Sequence, residues 1–498
     1  MAIEVVRQEF EAENLVGMRE TQVLLRAEAL VPGAGREAIE PLLADASLFI
    51  DTVDLQADRI VLDGEATCQA VYRQGEEVTL RALVARASLS QVLEIPGAES
   101  GMFSRVFGAV EHVEARYENG HMIFLVTCAL RARVLRLQPV ACVTGVSGRA
   151  GLETDFETLQ SVKLAAESSE MALLRETAAL PAALDARATL MDWATVEIES
   201  AAPDLGGVRV KGRALVETLV SSGAPGRPAA VVRVPMQLDQ LVELPEWLVG
   251  DVAAEADLRS VRTQIGMAAD GESPQLNCEV ELRVRVLANA TDAPEALRDI
   301  YATQGSALAV KRQSVNVCRE VLRARTTEPV RGAAPAGDGA EVGEVLAVRA
   351  NPVIADRRSE NGRGRVEGVL ELNALCLSPD GARPVSVQAE LPFAVGVPVP
   401  LDEEASVQVQ ALSVEAAALM GGRLDVKAQL LVSCESRVRE TVDIVSEIGE
   451  GAPIVRQPGI VIVWSAEGET AWTLGRRYAI PAASAGNIAP GRPLVLKV

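Results

Sequence analysis

The sequence predicts a mainly β chain: three tandem antiparallel, sandwich-like β modules followed by a small α/β module at the carboxy terminus. Three observations carry that prediction. One strand pattern recurs, as Leu62-Asp-Gly64-Glu-Ala-Thr-Cys-Gln-Ala-Val-Tyr72, Val210-Lys-Gly212-Arg-Ala-Leu-Val-Glu-Thr-Leu-Val220 and Val366-Glu-Gly368-Val-Leu-Glu-Leu-Asn-Ala-Leu-Cys376. Each copy runs apolar, charged, Gly, and then mostly apolar at alternate positions, which buries the same face of a strand each time. Each copy also has a later, longer alternating stretch: Met122 to Leu137, Gln275 to Val286 and Arg423 to Cys434. Twelve alternating residues span about 40 Å, which suits a large antiparallel sheet with one wet face. Residues 458–498 break this pattern and read as strand, helix, strand.

In chain order, the modules are assigned to residues 1–153, 154–308 and 309–452, with the tail module at 458–498. Pro32, Pro181 and Pro329 each close a segment of similar look and serve as a further register mark. Gly64, Gly212 and Gly368 read as bulges or close backbone approaches. Leu93-Glu-Ile-Pro96, Leu244-Pro245-Glu-Trp247 and Leu391-Pro392-Phe393 predict turns or edge strands, because proline has no N–H to give a ladder. Residues 330–343, rich in Gly, Ala and Pro, read as a linker inside the third module. The apolar spacing of residues 154–180 fits helix and strand equally.

A chain of 498 residues, 48% hydrophobic, has material for several packed cores. Its net charge of −21 argues against nucleic-acid binding, which needs a basic footprint. Met1 to Phe10 has neither the basic nor the apolar region of a secretion signal, and no apolar run reaches membrane-spanning length, so a cytoplasmic protein without membrane insertion is expected. The seven cysteines are odd in number, widely spaced and mostly on apolar strand positions, a pattern of buried free thiols. Exposed edges in β modules leave self-association open.

The residues of a catalytic centre do not assemble in the sequence. The two histidines, His112 and His121, flank an Asn119-Gly120 hairpin turn and read as solvated. Gly362-Arg-Gly364-Arg-Val-Glu-Gly368 is followed by a β pattern where a nucleotide-binding loop requires a helix. The 69 acidic residues offer no distinguished pair. The expectation is a protein that is not an enzyme, with no catalytic residue, metal or cofactor.

The tail carries the recognition residues. Ile460-Val-Ile-Val-Trp464 leads to Gly468-Glu469-Thr470, where Thr470 can cap a helix through Trp472 and Arg476-Arg477-Tyr478; Ile488-Ala-Pro490-Gly491 then turns into a closing strand through Leu494. Trp464, Trp472 and Tyr478 stand here in a chain with only 7 Phe, 4 Tyr and 4 Trp. Aromatic residues with Arg anchor protein interfaces and also stack on sugars. The tail holds Arg476, Arg477, Arg492 and Lys497 against Glu467 and Glu469, a basic patch on an acidic body.

This tail resembles a LysM domain through Gly468, Thr470, Trp472, Arg477, Tyr478, Ile488, Pro490, Gly491 and Leu494. Glu469 replaces the usual Asp, and Pro481 to Asn487 is several residues shorter than the usual second helix and its loop. The resemblance implies a glycan groove for N-acetylglucosamine polymers between the first strand-helix loop and the loop after the second helix. Three β modules before such a tail resemble the SPOCS-domain spore-coat morphogenesis proteins of spore-forming Firmicutes. That likeness implies a non-enzymatic scaffold in the mother-cell cytoplasm, joined to the forespore surface and coat by binding the basement-layer morphogenetic ATPase. The alternative it leaves is a cell-wall protein that binds peptidoglycan. Trp464, Gly468, Glu469, Thr470, Trp472, Arg476, Arg477, Tyr478, Ile488, Pro490 and Gly491 are the candidate partner-binding or glycan-binding residues.

Overall fold

The computed structural model describes the chain except residues 1–2, 34–37, 76–78, 246–250, 269–270, 272, 338–340, 456–458, 486–487, 489–490 and 498. Trp247, Pro458 and Pro490 therefore lie outside the described residues. The alternating stretches become strands, and every pairing among the described residues is antiparallel.

The first module contains β1 (Glu4–Leu30), β2 (Ile39–Gln56), β3 (Arg59–Gln74), β4 (Arg81–Glu94), β5 (Phe103–Glu118) and β6 (His121–Ser147). They form two three-stranded sheets, β2-β3-β4 and β1-β6-β5. Their apolar faces meet in one core, where Ile60, Leu62 and Ala66 of β3 join Met122, Phe124 and Val126 of β6. The second module repeats the plan with β8 (Ser161–Ala179), β9 (Ala186–Asp204), β10 (Gly207–Ser222), β11 (Ala229–Glu243), β12 (Asp251–Met267) and β13 (Pro274–Asp292). The third does so with β15 (Ser306–Pro335), β16 (Val345–Glu360), β17 (Arg363–Leu377), β18 (Pro384–Val397), β19 (Ser406–Leu419) and β20 (Arg423–Pro453). The recurring glycine strands are β3, β10 and β17, and the long alternating ones are β6, β13 and β20. Each is the central strand of its sheet, which is why their periodicity was the clearest signal.

The three glycines have one local cause. A Cβ on Gly64, Gly212 or Gly368 would strike the carbonyl oxygen of Phe49, Glu197 or Val353 on the neighbouring strand. That neighbour bulges at the same place in every copy, skipping Asp51, Glu199 and Ala355. The hairpin at Asn119 and Gly120 has positive φ at both residues, as predicted from the dipeptide.

Two expectations are corrected. Pro329 does not match Pro32 and Pro181: it lies inside β15, paired with Gln429. The equivalent strand ends are Val31, Leu180 and Ala336, all buried, whose N–H groups donate to Gly120, Pro274 and Gly422. Residues 330–335, read as linker, therefore continue a ladder opposite Arg423 to Ala428, because small residues suffice where Ala334 is covered by the core. Residues 154–180 are extended, giving β7 (Leu152–Thr158) and β8.

The modules close into a ring. The second strand of each packs on the preceding module, β9 against β3 and β4, β16 against β11, and β2 against β17 and β18. The fifth strands follow the same rotation, with β12 on β2, β19 on β9 and β5 on β16. A head-to-tail contact that returns to its start after three steps makes a closed ring, here within one chain. The first strands, β1, β8 and β15, touch each other around its axis. At one end, Leu43 and Val71, Met191 and Leu219, and Ala347 and Leu375 share a cluster. At the other, three ribbons converge: the lower halves of β1 and β6, those of β15 and β20, and the two-stranded sheet of β7 with β14 (Glu295–Ala302). At 27 residues β1 and β6 are each about 90 Å long, so they serve both module and ribbon.

Charged residues fill the middle of the axis. Glu435 of the third module accepts from Arg105 (3.0 Å) and Arg133 (2.6 Å) of the first and from Arg323 (3.1 Å) of its own. Arg105 also reaches Glu255 of the second module, and Arg323 reaches Asp251. One layer along, fully buried Glu13 pairs with Arg437 (2.7 Å) and accepts from the Leu164 N–H (2.9 Å). The seven cysteines are buried free thiols. Burial pushes Cys68 and Cys376 up to about 12, so they pack as small hydrophobes.

Burial alone would raise the Glu435 carboxyl, but the guanidinium groups of Arg105, Arg437, Arg133 and Arg323 outweigh it and hold it well below the usual carboxylate range. A depressed folded-state value means stability present above the unfolded carboxyl's value of about 4.3 and lost as pH falls below it. Glu435→Gln is expected to cost about 3–5 kcal/mol at neutral pH, because it leaves buried Arg133 without its carboxylate and takes one of two from Arg105, Arg323 and Arg437. It should also flatten the loss of stability between about pH 5 and pH 2, measured by urea unfolding across pH. An unchanged pH slope in the variant would contradict this.

Candidate functional site

The tail has the predicted element order: β21 (Ile460–Trp464), α1 (Ala471–Tyr478), a 3-10 turn at Ala482–Ala485 and β22 (Pro493–Lys497). Thr470 caps α1 as its sequence suggests. Its hydroxyl accepts from the Thr473 N–H (3.2 Å), while Thr473 Oγ1 accepts from the Thr470 N–H (2.9 Å). Gly468 and Gly491 adopt φ of +84° and +75°, left-handed backbone that a side chain would strain. Val463, Leu474, Ile480, Ala485 and Leu496 form the small core, with Tyr478 and Ile488 packed on its side.

The remaining candidates go to three different places. Glu469 accepts from the Ala466 N–H (2.9 Å) and pairs with Arg477 (2.5 Å), closing the turn before α1. The Ala466 N–H first, and Arg477 after it, hold its carboxyl below the usual range. Trp464 stays outside with Ile460, Ile462 and Val495, all 60–69% exposed. In the β21–β22 ladder Ile462 faces Val495, Ile460 faces Lys497 and Trp464 faces Pro493, so these side chains make one apolar stripe.

Trp472 and Arg476 turn the other way, onto the ring. Trp472 Nε1 donates to Asp299 Oδ2 (2.8 Å), and Arg476 pairs with the same carboxylate (2.8 Å). The Trp472 indole stands edge-on to Tyr301, with ring centroids 4.9 Å apart. Tyr301 donates its hydroxyl to the Ile480 carbonyl (3.0 Å), and Glu153 accepts from the Ala482 N–H (3.3 Å). Burial, and next to it the Glu153 carboxylate, pushes the Tyr301 phenol up to about 12, so it remains a neutral donor. Gly475 lets α1 lie this close, because a Cβ there would meet the Tyr301 hydroxyl.

Asp299, Tyr301, Glu153 and Gly475 were not among the residues singled out from sequence. The usable signal was Tyr301, one of only four tyrosines, placed on β14 away from any module core. Arg476 and Arg477, read from the sequence as part of one basic patch, are separated from each other and from Trp464: Arg477 serves the turn, Arg476 the dock and Trp464 the open sheet face.

The histidines stay apart as well. His112 Nδ1 lies 2.8 Å from Glu371, and His121 Nδ1 lies 3.2 Å from the Asn119 carbonyl. Among the described residues no group of three or more His, Cys, Asp and Glu is arranged to hold a metal ion, and no helix is long and apolar enough to cross a membrane.

Residues 39–118 match a family model described as SipL, SPOCS domain. The match begins with β2 and ends with β5, the second to fifth strands of the first module. It supports a SPOCS-domain protein and is consistent with a role in sporulation. No curated protein and no solved structure matches the chain.

The dock predicts a local effect. Trp472→Ala and Tyr301→Ala should each raise amide exchange across residues 471–480 by about tenfold, the cost of losing a charged or buried hydrogen bond. Exchange in β3, β10 and β17 should not change. Equal exchange in wild type and variants would contradict the dock.

Proposed function

We propose that this protein is a non-enzymatic scaffold of spore coat and envelope assembly in the mother-cell cytoplasm. It is recruited to the forespore surface when its tail, a LysM-like module by sequence, binds the basement-layer morphogenetic ATPase. The SPOCS match over residues 39–118 carries the reading, because the same strand plan then recurs at β9 to β12 and at β16 to β19. A ring of three such modules has many exposed faces and a rigid frame, which suits a structural part of an assembly.

The tail offers a surface for the recruiting contact. The stripe of Ile460, Ile462, Trp464 and Val495 is open, and exposed Arg492 and Lys497 stand at its two ends. Aromatic and aliphatic anchors rimmed by cations fit an acidic protein partner. Trp472 and Arg476 are engaged with Asp299, which leaves the sheet face as the side that meets the partner.

The test is localisation of a fluorescent fusion in sporulating cells. Ile462→Ser combined with Trp464→Ser should abolish recruitment to the forespore surface while leaving the thermal transition of the purified chain within about 2 °C of wild type, since both side chains are solvent-exposed. Normal recruitment of this variant would refute the tail's role. Saturable shifts of Gly468, Thr470 and Ile488 resonances with chitin oligomers would instead favour the peptidoglycan-binding reading.

A further inference from the structure

The outer face of the β1-β6-β5 sheet differs from its two counterparts in the ring. Strands β6, β13 and β20 align at buried Met122, Leu276 and Leu424, and alternate residues after them face outward. These outward positions hold Asn277 and Glu279 on β13 and Asp425 and Lys427 on β20, but Ile123 and Leu125 on β6. Two modules thus have a polar centre to this face, and the first has two large aliphatic side chains. Beside them β1 adds Leu24 and Leu30, which are 66% and 67% exposed. An apolar patch that the equivalent faces of the same ring lack marks a surface that another molecule covers.

The charges around the patch identify that molecule. Two rows cross the three strands in the order β1, β6, β5: Arg26, Leu125 and Glu114, then Glu28, Ile123 and Arg116. The signs are opposite along each row and opposite along each edge strand. Arg26 lies 3.3 Å from Glu28, and Arg116 lies 2.5 Å from Glu114, so each flank carries one ion pair. A second copy turned over by a two-fold axis running across the strands sets its second row on the first row of its partner. Arg26 then meets Glu28, Glu114 meets Arg116, Leu125 meets Ile123 and Leu24 meets Leu30, and each contact occurs twice. A partner of uniform charge, acidic or basic, would meet its own sign at two of the four corners.

We propose that the outer face of the β1-β6-β5 sheet joins two copies of this chain as a two-fold dimer, sheet stacked on sheet. The apolar centre supplies the attraction, and the four charges fix the orientation. A face three strands wide and seven residues long measures about 14 Å by 24 Å, less than a permanent interface uses, so the pair forms reversibly.

The test is sedimentation velocity of the full chain between about 1 and 200 µM, where wild type should pass from monomer to dimer. Ile123→Asn combined with Leu125→Glu puts the side chains of β13 at the matching positions of β6. This variant should stay monomeric across the range, with a thermal transition within about 2 °C of wild type. Arg26→Glu should raise the dissociation constant about tenfold, because two attractions become two repulsions. Adding Glu28→Arg to that change should restore wild-type affinity, since the exchanged charges still face each other across the two-fold axis. Both charge variants lie on exposed side chains, so they carry the test independently of how well the β6 variant folds. A wild-type chain that is monomeric throughout, a folded β6 variant that still dimerises, or a charge exchange that binds no better than Arg26→Glu alone would each overturn the proposal.

Discussion

Glu435 is the residue on which the arrangement of the three modules depends. One carboxylate, nearly enclosed, is shared by Arg105 and Arg133 of the first module and Arg323 of the third, while Arg105 and Arg323 reach on to Glu255 and Asp251 of the second. Burying these charges costs desolvation that their attraction only partly offsets, so the cluster adds little net stability. What it supplies is specificity. Any other order of the modules around the axis would leave several arginines or carboxylates buried without partners, at several kcal/mol each. The apolar clusters at the two ends hold the ring together, and the charged layer decides which ring it is.

This explains which parts of the fold were legible in the sequence. The sixth strands register through Met122, Leu276 and Leu424, which pair with Ala29, Ala178 and Ala334 and are fully buried in their own modules. These core positions repeat because each sandwich solves the same packing problem. Eleven residues further, the same register places Arg133, Leu287 and Glu435 at the axis. There the copies must differ in order to fit one another, so alternation shows the modules and hides the ring. Pro329 misled for a related reason: a proline in similar local company falls within the long β15 instead of at its end.

The tail was legible in its own frame and not in its setting. Gly468, Thr470 and Gly491 do what local backbone chemistry requires, with positive φ or a helix cap. Trp472 fills neither the tail's own core nor a free surface; it leaves the module for Asp299 and Tyr301, residues more than 170 positions away. Sequence spacing within forty residues carries no information about such a contact. The consequence for function is that the module has two unlike sides, one committed to the ring and one apolar side open beside Arg492 and Lys497. A tail held on a closed ring presents its stripe in one direction, which would lower the ordering cost of the proposed contact.

The ring itself is the central claim, and a double-mutant cycle across its closing interface tests it most directly. Glu13 and Arg437 are 424 residues apart in sequence and 2.7 Å apart in the ring. Glu13→Gln, Arg437→Met and the double variant should show a coupling of about 1–3 kcal/mol in unfolding free energy, as expected for buried partners. Additivity within about 0.5 kcal/mol, the behaviour of sites that do not touch, would contradict a chain whose first and third modules meet at a common axis.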